Sequence, residues 1–220
     1  MHNINVRLSL WMILLLSGIA WFSIAYLTGS DLSRLSEFLK PIPMVVTIDV
    51  VAIVVFVKWL WRWKWLHRRL GPFGPLLPSP DLNGTWLGEI RSDWVDERTG
   101  EKIPPIPGML TVRQSFFHIS CVMQTEEMRS DSYAEGFLID DERQIRQLAY
   151  SYQSRPRSSV RKRSTPHDGT TVFDVIESFD RKLKGRYWTE RKTTGEMKFR
   201  FHSRVILEEL PSDIENHPMA

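Results

Sequence analysis

The stretch DLNGTWLGEI, residues 81 to 90, marks a change of character in the chain. Before it lie two long apolar runs and a proline-studded connector; after it come short segments that alternate apolar and polar residues. In EMKFRFHSRVI, residues 196 to 206, Met197, Phe199, Phe201 and Val205 alternate with Lys198, Arg200, His202 and Arg204. This is the period-two pattern of a strand with one buried face. Phe117, Ile119, Cys121 and Met123 alternate with His118, Ser120 and Gln124 in the same way. Further strands are predicted at 84–92, 108–114, 130–139, 144–153, 169–179 and 183–191, with EEMR, DDER, DRK and TTG among the turn signals between them. No segment of this part reads as an amphipathic helix.

Short connections favour antiparallel neighbours in a meander, and about eight strands close into a small barrel without leaving an edge. The expected fold is therefore an all-β, antiparallel, lipocalin-like minimal barrel over residues 81–210, with a β-sandwich as the alternative. Gly84-Thr85-Trp86 favours the barrel, because Gly-x-Trp at the start of a first strand resembles the opening of lipocalin-type barrels, in which the indole plugs one end. Trp86 is expected in the core.

Residues 1–70 read as a membrane anchor. Leu8 to Leu27 is an uncharged apolar run of the length a helix needs to cross the hydrocarbon. A cleavable signal peptide is the competing reading, disfavoured because no A-x-A-like site follows and a second run comes a short loop later. That second run, 42–60, carries Asp49 near its middle and Lys58 near its end. The segment leaving it holds Lys58, Arg62, Lys64, Arg68 and Arg69 without an acid, whereas the loop between the runs balances Arg34 and Lys40 against Asp31 and Glu37. The basic side is expected in the cytoplasm, which puts both termini there. Trp59, Trp61, Trp63 and Trp65 suit the headgroup level. Residues 71–80, GPFGPLLPSP, form a Pro/Gly linker that cannot continue a helix, and 211–220 form a tail.

Several classes of function are disfavoured. Residues 81–210 hold 21 Lys and Arg against 21 Asp and Glu, so the domain lacks the net basic footprint that a nonspecific DNA or RNA polymer binder uses. Its basic cluster, RPRSSVRKR at 155–163, reads as a solvated loop or as a surface for an anionic lipid or phosphate ligand. Cys121 is the only cysteine, which rules out an intramolecular disulfide and suits a reducing compartment. There is no H-E-x-x-H, G-x-S-x-G or P-loop, and the histidines lack metal spacing. No catalytic residue, metal or cofactor is expected.

The order of features is more specific than any one of them. Two apolar runs and the Pro-rich linker precede LNGTWLGEI and a strand containing Gln114. Then come Thr125, Ser130 and Ser132 as T-x-x-x-x-S-x-S, Tyr150 and Tyr152 as Y-x-Y, His167-x-Gly169-Thr170, and GRYWTERKTTGEM at 185–197. Together these resemble the two-transmembrane β-barrel effectors of bacterial CBASS antiphage signalling, the CD-NTase-associated protein 15 family. The resemblance implies that the barrel binds a cyclic dinucleotide made by a partner CD-NTase. It implies further that the protein then forms homo-oligomers that disrupt the inner membrane and stop growth.

Such a ligand offers base faces for stacking, base edges for hydrogen bonds and two phosphates. Tyr150, Tyr152 and Tyr187 supply faces, Thr125, Ser130, Ser132 and Thr189 supply hydroxyls, Arg191 supplies a guanidinium, and His167 joins them through the motif. Leu183, Gly185, Tyr187, Thr189 and Arg191 share one strand face and run from apolar to polar toward one mouth. Plainer roles stand beside these: half-buried barrel tyrosines, hydroxyls that cap a turn, a loop histidine, and an ion pair of Arg191 with Glu196. Asp49 is a candidate for contacts between spans in the oligomer, because a mid-membrane carboxylate must be neutral, paired or turned toward other helices. A constitutive lipocalin-like barrel for a lipid or other small ligand is the alternative function.

Overall fold

The computed structural model describes residues 6–29, 33–59, 80–96, 100–140 and 142–211. Within them lie two compact units, one of helices and one of strands. The expected aromatic and basic flank beyond Trp59, nearly all of the 71–80 linker and the tail beyond residue 211 fall outside the described residues.

In the helical unit, α1 (Val6–Leu27) and α3 (Ile42–Lys58) coincide with the two apolar runs. Between them α2 (Leu35–Leu39), which the sequence pattern did not predict, packs back on α1. Trp21 Nε1 donates to the Phe38 carbonyl at 3.2 Å, and the two rings lie 4.6 Å apart. Among the described residues one helical stretch, Leu35–Lys58, is long and apolar enough to cross a bilayer; the apolar part of α1, Ile13–Leu27, is shorter.

The second unit is a closed antiparallel barrel in which each strand pairs with the next and the last returns to the first. Its strands are β1 (Gly84–Ser92), β2 (Ile106–Gln114), β3 (Ile119–Gln124), β4 (Met128–Asp140), β5 (Ile145–Pro156), β6 (His167–Ile176), β7 (Lys182–Thr189) and β8 (Thr194–Ser203). The barrel expectation holds and the sandwich does not. Closure works because inward and outward residues alternate: along β6, His167, Gly169, Thr171, Phe173 and Val175 are buried, and along β8, Gly195, Met197 and Phe199 are buried. At the closing seam β1 and β8 approach so tightly that a Cβ on Gly88 would run into the Lys198 carbonyl.

One end is plugged. Trp86 is fully buried, its Nε1 donating to the Leu82 carbonyl at 2.9 Å. The Arg181 guanidinium lies 5.1 Å from the Trp86 ring and 4.3 Å from that of Phe201, and it donates to the Asp81 carbonyl. Gln114 fixes the chain where it joins the barrel. Its Oε1 accepts from Leu82 N at 2.8 Å, while its backbone N–H and C=O exchange bonds with the Asn83 side-chain amide. Burying an indole of this size is worth on the order of 5 kcal/mol. Phe173, Phe199, Leu110, Leu148 and Leu183 fill the layers above it.

Two predicted strand positions differ. Phe117 lies in the β2–β3 turn, 70% exposed and edge-on to Phe116. Val205 lies beyond β8, and its carbonyl accepts from the Thr85 hydroxyl at 2.7 Å. The run at 155–163 is not simply a solvated loop. It includes a single 3-10 turn, Ser158–Val160, whose Val160 is buried.

Candidate functional site

Above the apolar layers the barrel is hollow. A cavity of about 420 Å³ opens at the end away from Trp86. It is ringed by the ends of β1, β3, β5 and β7 and the starts of β2, β4, β6 and β8. Its wall carries apolar side chains, Ile90, Ile106, Met123 and Met197, beside Tyr150, Tyr152 and Tyr187. Hydroxyls from neighbouring strands, Ser130, Ser154 and Thr171, are buried in the same wall, His167 starts β6, Thr189 ends β7, and Arg163 and Arg191 come from the β5–β6 loop and the turn after β7. The inward series expected along β7 is present through Thr189, where the strand ends; Arg191 belongs to the turn that follows.

Of the expected site residues, Thr125, Ser130, Tyr150, Tyr152, His167, Tyr187, Thr189 and Arg191 all line this cavity. Tyr150 and Tyr152 are buried with ring centroids 6.0 Å apart, and Tyr150 leans on Phe173. They are core residues and cavity wall at once. Burial pushes all three phenols, Tyr150, Tyr152 and Tyr187, above their ordinary value, so they remain neutral hydroxyls.

The hydroxyls divide by what else they do. Ser130 and Ser154 face each other across β4 and β5 with oxygens 2.5 Å apart. Thr189 is engaged by its turn, 2.6 Å from the Thr193 hydroxyl, and Thr125 reaches the Met128 carbonyl at 3.5 Å across the β3–β4 turn. Ser132 is not among the lining residues. A bulge at Tyr133 shifts the β4–β5 register, and the β3–β4 ladder stops at Val122. The Cys121 N–H therefore donates to Ser132 Oγ at 2.8 Å, and the Ser132 hydroxyl donates to Glu135.

His167 Nδ1 lies 2.9 Å from the Thr165 carbonyl, which assigns the Nδ1–H tautomer to the neutral ring and leaves Nε2 as an acceptor. Burial lowers its pKa. The Thr165 carbonyl opposes this, the Arg191 charge adds to it, and Glu190 and Asp168 oppose it, with the net direction down. Arg191 does not pair with Glu196; its guanidinium donates to Ser164 Oγ at 3.1 Å, holding the β5–β6 loop at the mouth. Arg163, from the same loop, pairs with Glu127, the only carboxylate among the described lining residues.

Asp49 belongs to the helical unit. Its Oδ2 accepts from Ser17 Oγ at 2.7 Å, joining α3 to α1 within one chain. Among the described residues no group of His, Cys, Asp and Glu has the makings of a metal site.

The structure adds Ser154 and Thr171 to the cavity wall. Both were within reach of the alternation already noted: Ser154 is two residues past Tyr152, and Thr171 is two past Gly169, on the same inward faces. The Thr171 hydroxyl is fully enclosed beside Tyr150, its register partner on β5, and it opposes the upward push of burial on that phenol, yet it meets no partner at full hydrogen-bond geometry among the described residues.

This cavity lies within a stretch with known relatives. Over 89 residues the chain is 27% identical to CD-NTase-associated protein 15 of Staphylococcus schleiferi, a match spanning 40% of this chain and 46% of that protein. Residues 77–200, which contain every strand but the last residues of β8 and every lining residue of the cavity, match the family described as "Cap15, cyclic dinucleotide receptor domain". The chain belongs to the Cap15 cyclic dinucleotide receptor family.

Proposed function

We propose that the barrel cavity receives a cyclic dinucleotide and that the chain is an effector of CBASS antiphage defence. The observation that carries this reading is the make-up of the cavity wall within the family-matched span: apolar and aromatic surface, uncharged hydroxyls, and the guanidinium groups of Arg163 and Arg191. A nucleobase entering edge-first meets Tyr150, Tyr152 and Tyr187 as faces, and Ser130, Ser154 and Thr171 as groups able to donate or accept. The phosphates then sit at the mouth near Arg191 and His167. In this reading the barrel is a receptor: the tyrosines stay neutral, and His167 and Arg191 serve the ligand phosphates and not a reaction.

In this reading α1 and α3 both span the bacterial inner membrane, with the barrel and both termini in the cytoplasm. A partner CD-NTase makes the ligand, and binding drives oligomerisation and membrane disruption. The Ser17–Asp49 bond holds the hairpin in the resting chain, and Asp49 is free to exchange this partner for a neighbouring span on assembly.

The test is thermal unfolding of the full chain against a panel of cyclic di- and trinucleotides. A ligand that binds only the folded state raises Tm by mass action, by about 2.7 kcal/mol of stability at a hundredfold excess over Kd. One member should produce the shift and be recovered unchanged. No shift across the panel refutes the receptor reading, and recovery of a cleaved product makes the barrel an enzyme.

A further inference from the structure

Among the described residues that line the cavity, Trp94 is the most open aromatic. It stands in the β1–β2 loop, two residues past the end of β1, and is 37% exposed, whereas Tyr150 and Tyr152 are buried and Tyr187 is half-buried. Among the described residues its ring packs on no other ring and its indole N–H donates to no acceptor. Trp86 is the contrast, an enclosed indole whose N–H is bonded. The backbone around Trp94 is nevertheless held in place. Its own N–H donates to Ser92 Oγ at 3.2 Å, the Asp93 N–H donates to the Thr194 carbonyl at 2.9 Å, and the Thr194 hydroxyl donates to Asp93 Oδ2 at 2.9 Å. One residue on, Val95 bridges to Lys102, and the next residue of that returning arm, Ile103, lines the same cavity. A large flat ring is thus fixed at the rim of the cavity without a packing partner of its own.

From this we infer that Trp94 binds a nucleobase by stacking, and that it takes the base of the cyclic dinucleotide that the tyrosine-lined hollow does not hold. The inference rests on the proposed receptor function. A cyclic dinucleotide brings two bases, each with a face to cover, joined through two phosphates. Strand order sets where the two kinds of contact fall. In a closed ring of eight strands the β1–β2 loop stands across the mouth from the β5–β6 loop. The β5–β6 loop carries Arg163 and, through Ser164, holds the Arg191 guanidinium at 3.1 Å. Phosphates drawn to those cations leave the opposite rim to an uncharged, flat part of the ligand. Asp93 and Lys102, which flank Trp94 there, lie 3.5 Å apart and offset each other. Stacking on an aromatic side chain tolerates any base, because every base has a π-face. Trp94 therefore supplies affinity, and the choice of base is left to the hydroxyls of the cavity wall.

The test is calorimetric titration of the full chain, and of its Trp94→Ala, Trp94→Leu and Trp94→Phe variants, with the panel of cyclic di- and trinucleotides. Any member that binds the wild-type chain should bind Trp94→Ala about tenfold or more weaker, the loss expected for one stacked base. That loss should be of similar size for each binding member. Trp94→Phe should recover most of it, and Trp94→Leu, which keeps apolar bulk without a flat face, should not. Tm without nucleotide should be the same in all four chains. A wild-type chain that binds no member overturns the receptor reading itself. A wild-type chain that binds while Trp94→Ala binds equally well overturns the stacking role alone, as does full recovery by Trp94→Leu. A weaker Trp94→Ala whose nucleotide-free Tm also falls by several degrees overturns it too, by making the ring a structural support of the rim.

Discussion

Gly169 on β6 leaves the space that the phenol of Tyr152 on β5 fills. A Cβ at 169 would stand 2.5 Å from both Cζ and the hydroxyl oxygen of Tyr152, and 3.0 Å from the Trp188 carbonyl. The two residues are register partners, so an alanine here drives the ring out of its seat on the cavity wall. Gly169→Ala is expected to lower Tm by a few degrees, as overpacking costs about 1–3 kcal/mol. It should also weaken cyclic dinucleotide binding by about tenfold or more, measured by calorimetry on the folded variant.

Thr171→Val should part stability from binding. Its enclosed hydroxyl meets no partner at full hydrogen-bond geometry among the described residues, with only the Tyr150 phenol sensing it, and leaving such a group poorly satisfied costs up to about 3 kcal/mol. Replacing it with a methyl of similar shape should raise Tm while reducing ligand affinity. Denaturation and titration of one preparation check both, and an unchanged affinity would remove Thr171 from the base-reading set.

His167 predicts a pH dependence with a definite sign. Its folded pKa is lowered, chiefly by burial and with help from Arg191, against the opposing Thr165 carbonyl, Glu190 and Asp168. The stability it contributes is therefore complete above the unfolded value of about 6.5 and is lost as pH falls below it. Ligand phosphates beside the ring favour the imidazolium, so binding should take up a proton and tighten over the same window. His167→Gln should flatten both profiles, followed as Tm and Kd between about pH 7.5 and 5.5.

Trp86 tests the plug independently of the site. Trp86→Ala should cost about 3–5 kcal/mol. Trp86→Phe keeps most of the packing but strands the Leu82 carbonyl, costing about 1–3 kcal/mol. Because Trp86 does not line the cavity, the folded Phe variant should bind ligand with unchanged affinity in a calorimetric titration.

The strands were legible in the sequence because a small closed barrel leaves each residue either inside or out, so period two persists from Gly84 to Phe201. It misled where a strand had already ended. Phe117 packs on Phe116 in a turn, and Arg191 sits beside Lys192, whose φ of 62° belongs to the turn. Ser132 had the right chemistry, but the bulge at Tyr133, which leaves no mark in composition, turned its hydroxyl to ladder repair. Ser154 and Thr171 were missed for the opposite reason: small hydroxyl residues on an inward row look like ordinary strand residues until the structure shows a hollow beside them. The short α2 was hidden because its docking depends on a tertiary contact between Trp21 and Phe38.

The wiring of the barrel also dictates when a working pocket first exists. All strand pairings but one join consecutive strands, so the sheet can grow hairpin by hairpin as the chain leaves the ribosome. The exception is the β1–β8 seam. Until Thr194–Ser203 is made, the growing sheet carries two open edges and has no enclosed hollow, and at about 5–20 residues per second that last strand takes about a second or two to appear. Under the proposed function, a nascent chain or one cut short before β8 therefore has no cavity to offer the ligand, and only a finished barrel does.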